Sequence, residues 1–124
     1  MTTLNYILLA AANPRKSGAL YAKIFGLEPV ENSETFVLFV LPSGLKVGLW
    51  QAEEMEPKVG KADGIDISFG EPDYAAVRST YDVWKRLDLV MLQEPTEMDF
   101  GFTFTAADPD GHRLRVFAMN DNPR

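Results

Sequence analysis

Two stretches of the chain line up without a gap. Leu41-Pro-Ser-Gly-Leu-Lys-Val-Gly-Leu-Trp50 matches Asp108-Pro-Asp-Gly-His-Arg-Leu-Arg-Val-Phe117, each a Pro-x-Gly turn followed by a strand-like run. An internal repeat constrains a fold more than any local pattern, because it implies one supersecondary unit built twice. In 124 residues each copy has roughly 60, too few to bury much surface alone. A lone half has an open sheet edge and a half-buried face. Two halves can close into one barrel-like mixed sheet with a cleft.

The flanking segments repeat in the same order. Leu4 to Ala12 is apolar and bounded by Asn13-Pro14, which reads as a buried strand. Asn13 is a good N-cap and Pro14 suits the first helical position. Leu20, Tyr21, Ile24 and Phe25 recur at helical spacing until Gly26 ends the helix. Thr35 to Leu41 and Leu45 to Gln51 read as a strand pair across Pro42-Ser43-Gly44. In the second half, Gly64 to Phe69 is a strand, and Pro72-Asp73 opens a helix with Tyr74, Val77, Tyr81, Trp84 and Leu87 on its apolar stripe. Trp84 is therefore read as core. A short strand near Leu89 to Leu92 precedes a hairpin of Phe102 to Ala106 with Arg113 to Ala118. The expected class is α+β: a first βαβββ module over residues 1–52, a polar linker over 53–62 and a second module over 63–124, together one structural domain. The turn at 42–44 can be registered in more than one way, so the inward face of 34–41 stays open.

Composition excludes several functions. With no cysteine there is no disulfide, thiolate metal site or cysteine nucleophile. The net charge of −6 with no basic stripe argues against nucleic acid. The acids of Glu53, Glu54 and Glu56 and of the Glu94–Asp99 stretch read as solvated surface. The longest apolar run, Tyr6 to Ala12, is far short of the about 20 residues of a membrane helix. The start of the chain has no basic n-region or A-x-A cleavage site, so a cytoplasmic protein is expected. The single histidine, His112, leaves no candidate triad, and it reads as a solvent-facing turn residue. Neither a P-loop nor a dinucleotide fingerprint is present.

The duplicated β-α-β-β-β order, Asn13 through Leu27 (NPRKSGALYAKIFGL) and Ala106 through Phe117 (AADPDGHRLRVF) resemble the vicinal-oxygen-chelate superfamily, which includes glyoxalase I, bleomycin-binding proteins and extradiol dioxygenases. Within it, Leu49-Trp50, Glu56-Pro57 and Phe100-Gly101-x-Thr103-Phe104 running into Asp108-Pro-Asp-Gly-His112 are similar to the small phenazine-antibiotic resistance proteins. That resemblance implies a homodimer that sequesters a planar antibiotic between aromatic side chains. It carries no catalysis by itself, because the superfamily hosts many chemistries on one scaffold.

Metal-dependent members of the superfamily place a histidine on the first strand and a carboxylate on the last strand of each half. The matching positions here are Tyr6 and Asp66, then Gly48 and Arg115. Three of the four are not ordinary metal ligands, and Arg115 puts a cation where the metal would sit. The expectation is therefore no metal and no cofactor. Asp66 beside Arg115 reads as a salt bridge filling the vacated position.

Strand alternation puts Trp50, Arg113 and Phe117 on the side of Gly48 and Arg115, with Tyr6 and Leu8 from the first strand. Gly48 would leave room for a flat ring against the sheet, the aromatics would stack on it, and Arg115 would pair with a ligand carboxylate. Phe100, before Gly101, is placed at the pocket mouth. The candidate ligand-binding residues are Tyr6, Gly48, Trp50, Asp66, Phe100, Arg115 and Phe117, with no catalytic residue assigned. The competing readings are a lyase, dioxygenase or isomerase with an atypical site, using Asp66 or Tyr6 or the oxygens of Glu53 and Glu54, and a ligand-free accessory domain.

Overall fold

The computed structural model describes residues 2–61 and 63–120. The chain divides into two compact units, residues 1–61 and 62–124. The first contains β1 (Tyr6–Ala11), α1 (Pro14–Phe25), β2 (Glu31–Asn32), β3 (Phe36–Val40) and β4 (Lys46–Gln51), then one 3₁₀ turn at Ala52–Glu54. The second contains β5 (Asp66–Gly70), α2 (Tyr74–Trp84), β6 (Val90–Met98), β7 (Gly101–Ala107) and β8 (Arg113–Met119). Each unit has its own four-stranded sheet, ordered β1-β4-β3-β2 in one and β5-β8-β7-β6 in the other.

In both sheets the first strand lies parallel to the last, and the remaining pairs are antiparallel. A parallel pair cannot be joined by a tight turn, so each unit needs a crossover, and the helix begins it. The two helices start by the same device. The Asn13 side chain accepts from the Lys16 backbone N–H at 3.2 Å, and Asp73 accepts from that of Ala76 at 2.8 Å. Gly26 ends α1 with φ 68°, a left-handed conformation in which its N–H reaches the Ala22 carbonyl.

Each helix covers one face of its sheet. Under α1, Val37, Phe39, Leu49 and Ala11 are fully buried, and the ring of Phe25 meets Phe39 edge-on at 5.2 Å. Val77 of α2 and Phe104, Leu114 and Val116 beneath it are fully buried. Trp84 is core, as its place on the stripe implies. It packs edge-on to Phe69 at 5.3 Å and to Phe104 at 5.5 Å. Burial of Val37 and Phe39 also fixes the register left open by the 42–44 turn, where Leu41 and Leu45 are tied by a backbone hydrogen bond of 2.9 Å.

Three elements differ from the sequence reading. The two-residue β2 escaped it, because Glu31–Asn32 is exposed and has no apolar signal. β1 is buried on one face only: Leu9 and Ala11 are covered, whereas Tyr6 and Leu8 retain 38% and 40% exposure. The short strand near Leu89–Leu92 continues through Pro95 to Met98. Proline is tolerated there because β6 is an edge strand, and the ladder slips by one residue on either side of Gln93. Among the described residues no helix is long and apolar enough to cross a membrane.

Phe104 is the ring on which Tyr81 and Trp84 both converge. Phe104→Ala should cost about 3–5 kcal/mol of unfolding free energy, against less than about 0.5 kcal/mol for the exposed Val83→Ala. Urea unfolding of the two variants checks this.

Candidate functional site

Residues paired across a sheet share a face, so register assigns the surface that the helices leave uncovered. In the first unit Leu8 pairs with Gly48 and Ala10 with Trp50, while across the sheet Phe36 pairs with Trp50 and Leu38 with Gly48. The middle of this face is apolar and aromatic, with Tyr6 and Lys46 at one end and the half-buried Trp50 at the other. The space above Gly48 is not bare backbone. A Cβ there would meet the Tyr6 hydroxyl at 2.8 Å, Leu8 Cδ1 at 3.0 Å and Phe36 Cε1 at 3.1 Å. The room expected for a ligand ring is taken by three side-chain tips, and the glycine lets them pave the sheet.

Tyr6 makes no hydrogen bond to another described residue. Its phenol is pushed above the ordinary value of 10.0, first by burial and second by the negative charge of Glu31. It is therefore a neutral hydroxyl at physiological pH and a poor general base.

The second unit repeats the geometry with different chemistry. Asp66 pairs with Arg113, Ser68 with Arg115 and Gly70 with Phe117, in the register of Tyr6 with Lys46, Leu8 with Gly48 and Ala10 with Trp50. Asp66 is thus the counterpart of Tyr6, Arg115 of Gly48 and Phe117 of Trp50. Across the sheet, Thr103 pairs with Phe117 and Thr105 with Arg115. The Phe117 ring leans over Gly70, whose missing Cβ would lie 3.5 Å from its tip.

Asp66 stands between two guanidinium groups. Arg115 Nε donates to Oδ2 at 3.0 Å, and Arg113 Nε lies 2.7 Å from Oδ1. The second contact is an ion pair without hydrogen-bond alignment, since Arg113 Nε has no directed acceptor. Arg115 Nη1 donates further to Gln93 Oε1 and to Thr103 Oγ1, each at 3.2 Å. The expected salt bridge is present, and it belongs to a larger network. Thr103 and Thr105 could have been found from the alternation of Gly101–Ala107, where they oppose Phe102 and Phe104. No periodicity reveals Gln93, because a bulge sets its direction.

Two residues stand apart from this face. Phe100 lies in the β6–β7 turn, where its carbonyl accepts from the Asn120 N–H at 3.0 Å, beyond the Thr103–Phe117 pair. His112 is half-buried, not solvent-facing. Its turn is organised by Asp108, whose carboxylate accepts from the backbone N–H groups of Asp110 and His112, both at 2.9 Å.

The residues do not fit the metal centre of the metal-dependent members. Among the described residues no three or more His, Cys, Asp or Glu side chains gather. Both oxygens of Asp66 face arginine nitrogens, and a cation beside them would meet the charge of Arg115. In the first unit, Tyr6 and Gly48 supply one neutral phenol.

Residues 3–116 match the Glyoxalase/Bleomycin resistance protein/Dioxygenase superfamily model, and the chain belongs to that family. Among curated relatives it is 30% identical over 121 residues to the phenazine antibiotic resistance protein EhpR of Enterobacter agglomerans, covering 95% of this chain and 93% of that one. Among solved structures, a protein of Agrobacterium tumefaciens determined by solution NMR shares 45% identity, with a TM-score of 0.88 over 97% of this chain and 99% of the other. A glyoxalase-related enzyme from Fulvimarina pelagi shares the fold at 15% identity, with a TM-score of 0.85 over 95% and 88% of the two chains.

The raised pKa of Tyr6 means that the folded chain holds the phenol proton more tightly than the unfolded chain. That contribution to stability is fully present below the ordinary value of 10.0 and is lost as pH rises through the folded value. Ultraviolet titration of phenolate absorbance, wild type against Tyr6→Phe, should assign Tyr6 a component above the ordinary tyrosine range. Glu31→Gln should lower it only part of the way, because burial is the larger cause.

Proposed function

We propose that the protein binds a planar aromatic small molecule, with a phenazine-type antibiotic as the leading ligand, and protects by sequestering it without breaking a bond. The observation that carries this reading is the pair of equivalent aromatics. Trp50 and Phe117 occupy corresponding positions in the two units, each half-buried on its sheet's uncovered face. Flat rings in such positions offer area to a flat ligand at little rotamer cost. The 30% identical relative is a phenazine antibiotic resistance protein, which supports the same reading. The bonded Asp66–Arg115 pair, at the positions where metal-dependent members hold metal ligands, supports binding in place of metal-assisted turnover. The reading includes a homodimer, carried by the resemblance, and a cytoplasmic setting, carried by the sequence expectation.

The test is titration with a panel of phenazines and other planar antibiotics, followed by tryptophan fluorescence and by calorimetry. The expected result is saturable binding, recovery of the compound unchanged, and roughly tenfold weaker affinity in Trp50→Ala, as befits loss of a stacking face and its buried area. Trp84 remains as a reporter in that variant. Failure of every planar compound to bind would overturn the reading, and chemical conversion of the bound compound would move it to the enzymes.

A further inference from the structure

Gln93 faces the way it does because of a defect in the ladder. Met91 pairs with Ala106, which is buried on the α2 side of the sheet, so a regular strand would send Gln93 to the same side. One extra residue between Met91 and Gln93 turns Gln93 to the opposite face, beside Thr105. There its Oε1 accepts from Arg115 Nη1 at 3.2 Å and from Thr105 Oγ1 at 3.1 Å. Two donors on the oxygen fix the amide, and its nitrogen is directed to Met98 Sδ at 3.5 Å.

Arg115 is thereby held through two of its three nitrogens. Asp66 takes Nε; Gln93 and Thr103 take Nη1. Thr103 donates its own proton to the Val116 carbonyl at 2.8 Å, which turns a lone pair toward the arginine. Among the described residues no hydrogen bond is made by Arg115 Nη2 or by the two terminal nitrogens of Arg113. The strand pairings put three charged side chains on this face, Asp66, Arg113 and Arg115, giving it one net positive charge in a chain of net charge −6. The acids of β6 point away. Glu94 lines a depression with Arg78, Tyr81 and Asp82 of α2, and Glu97 accepts from the Tyr74 hydroxyl at 2.6 Å.

We infer that Gln93 is a specificity-determining residue: with Thr103 it aims the uncommitted nitrogen of Arg115, beside Arg113, at an acidic group of the ligand, so that the preferred ligands are planar aromatic acids. This rests on the reading of the protein as a binder. Phe117, two residues along the same face from Arg115, sets a ring next to the acid-binding nitrogen. A neutral amide at position 93 matters because it accepts from Arg115 without cancelling its charge. A carboxylate there would neutralise the guanidinium and repel the incoming acid.

Phenazine-1-carboxylate and its neutral near-isostere phenazine-1-carboxamide separate the possibilities by calorimetry. The wild type should bind the acid tighter by roughly tenfold or more, the order of one charge-assisted contact, and high salt should erode the acid's advantage while leaving the amide unchanged. Gln93→Glu should remove that preference and hold amide affinity within about twofold, since stacking is untouched. Should that variant fail to fold, Gln93→Leu and Arg113→Gln should each reduce the acid-to-amide ratio. Equal binding of both compounds by the wild type overturns the inference and leaves the binder reading standing. Equal loss of both compounds in the Gln93 variants shows a merely structural role and also overturns it. Binding of neither compound overturns the binder reading, and the inference falls with it.

Discussion

The parallel pairing of the first and last strands governs each unit. It requires a crossover, which the capped helix begins, and the helix claims one face of the sheet for the core. The other face is then set residue by residue: the start of the first strand pairs with the start of the last, and the residues two and four along each strand follow on the same face. In one unit this brings Tyr6, Gly48 and Trp50 onto a common surface, and in the other Asp66, Arg115 and Phe117.

The same scaffold thus carries two surfaces of opposite character. The first is paved by Tyr6, Leu8 and Phe36 over a glycine, with no charge at the corresponding centre. The second is a half-buried ionic network in which one carboxylate serves two arginines, and the arginine at its centre is braced by an amide and a hydroxyl. Ion pairs of this exposure add little to stability. Their effect lies in orientation, since a guanidinium tied by three acceptors cannot swing away from the plane in which its remaining nitrogen points.

Much of this was legible in the chain. The gapless match of 41–50 to 108–117 implied the twofold plan, and the caps Asn13 and Asp73 marked both helices. Alternation put Trp50 on the face of Gly48 and Phe117 on the face of Arg115, and Trp84 reads as core from its helical stripe. What escaped has physical reasons. Glu31–Asn32 pairs through backbone alone and leaves no side-chain pattern. The filling above Gly48 depends on which side chains fold back over it. Gln93 defeats a parity argument because an inserted residue reverses parity.

The irregular path of β6 also bears on how the protein behaves in a crowded solution. This strand forms one border of its sheet, and Val90 and Leu92 on it are more than half exposed. A straight border of that kind would be a template for another chain's strand, and growth by such addition is how sheets become fibrils. Pro95 removes one donor from the row, and the two slips in the ladder bend what remains out of line. The distortion that aims Gln93 therefore also closes the border against further strands, so straightening β6 to regularise the sheet would trade selectivity and colloidal safety together.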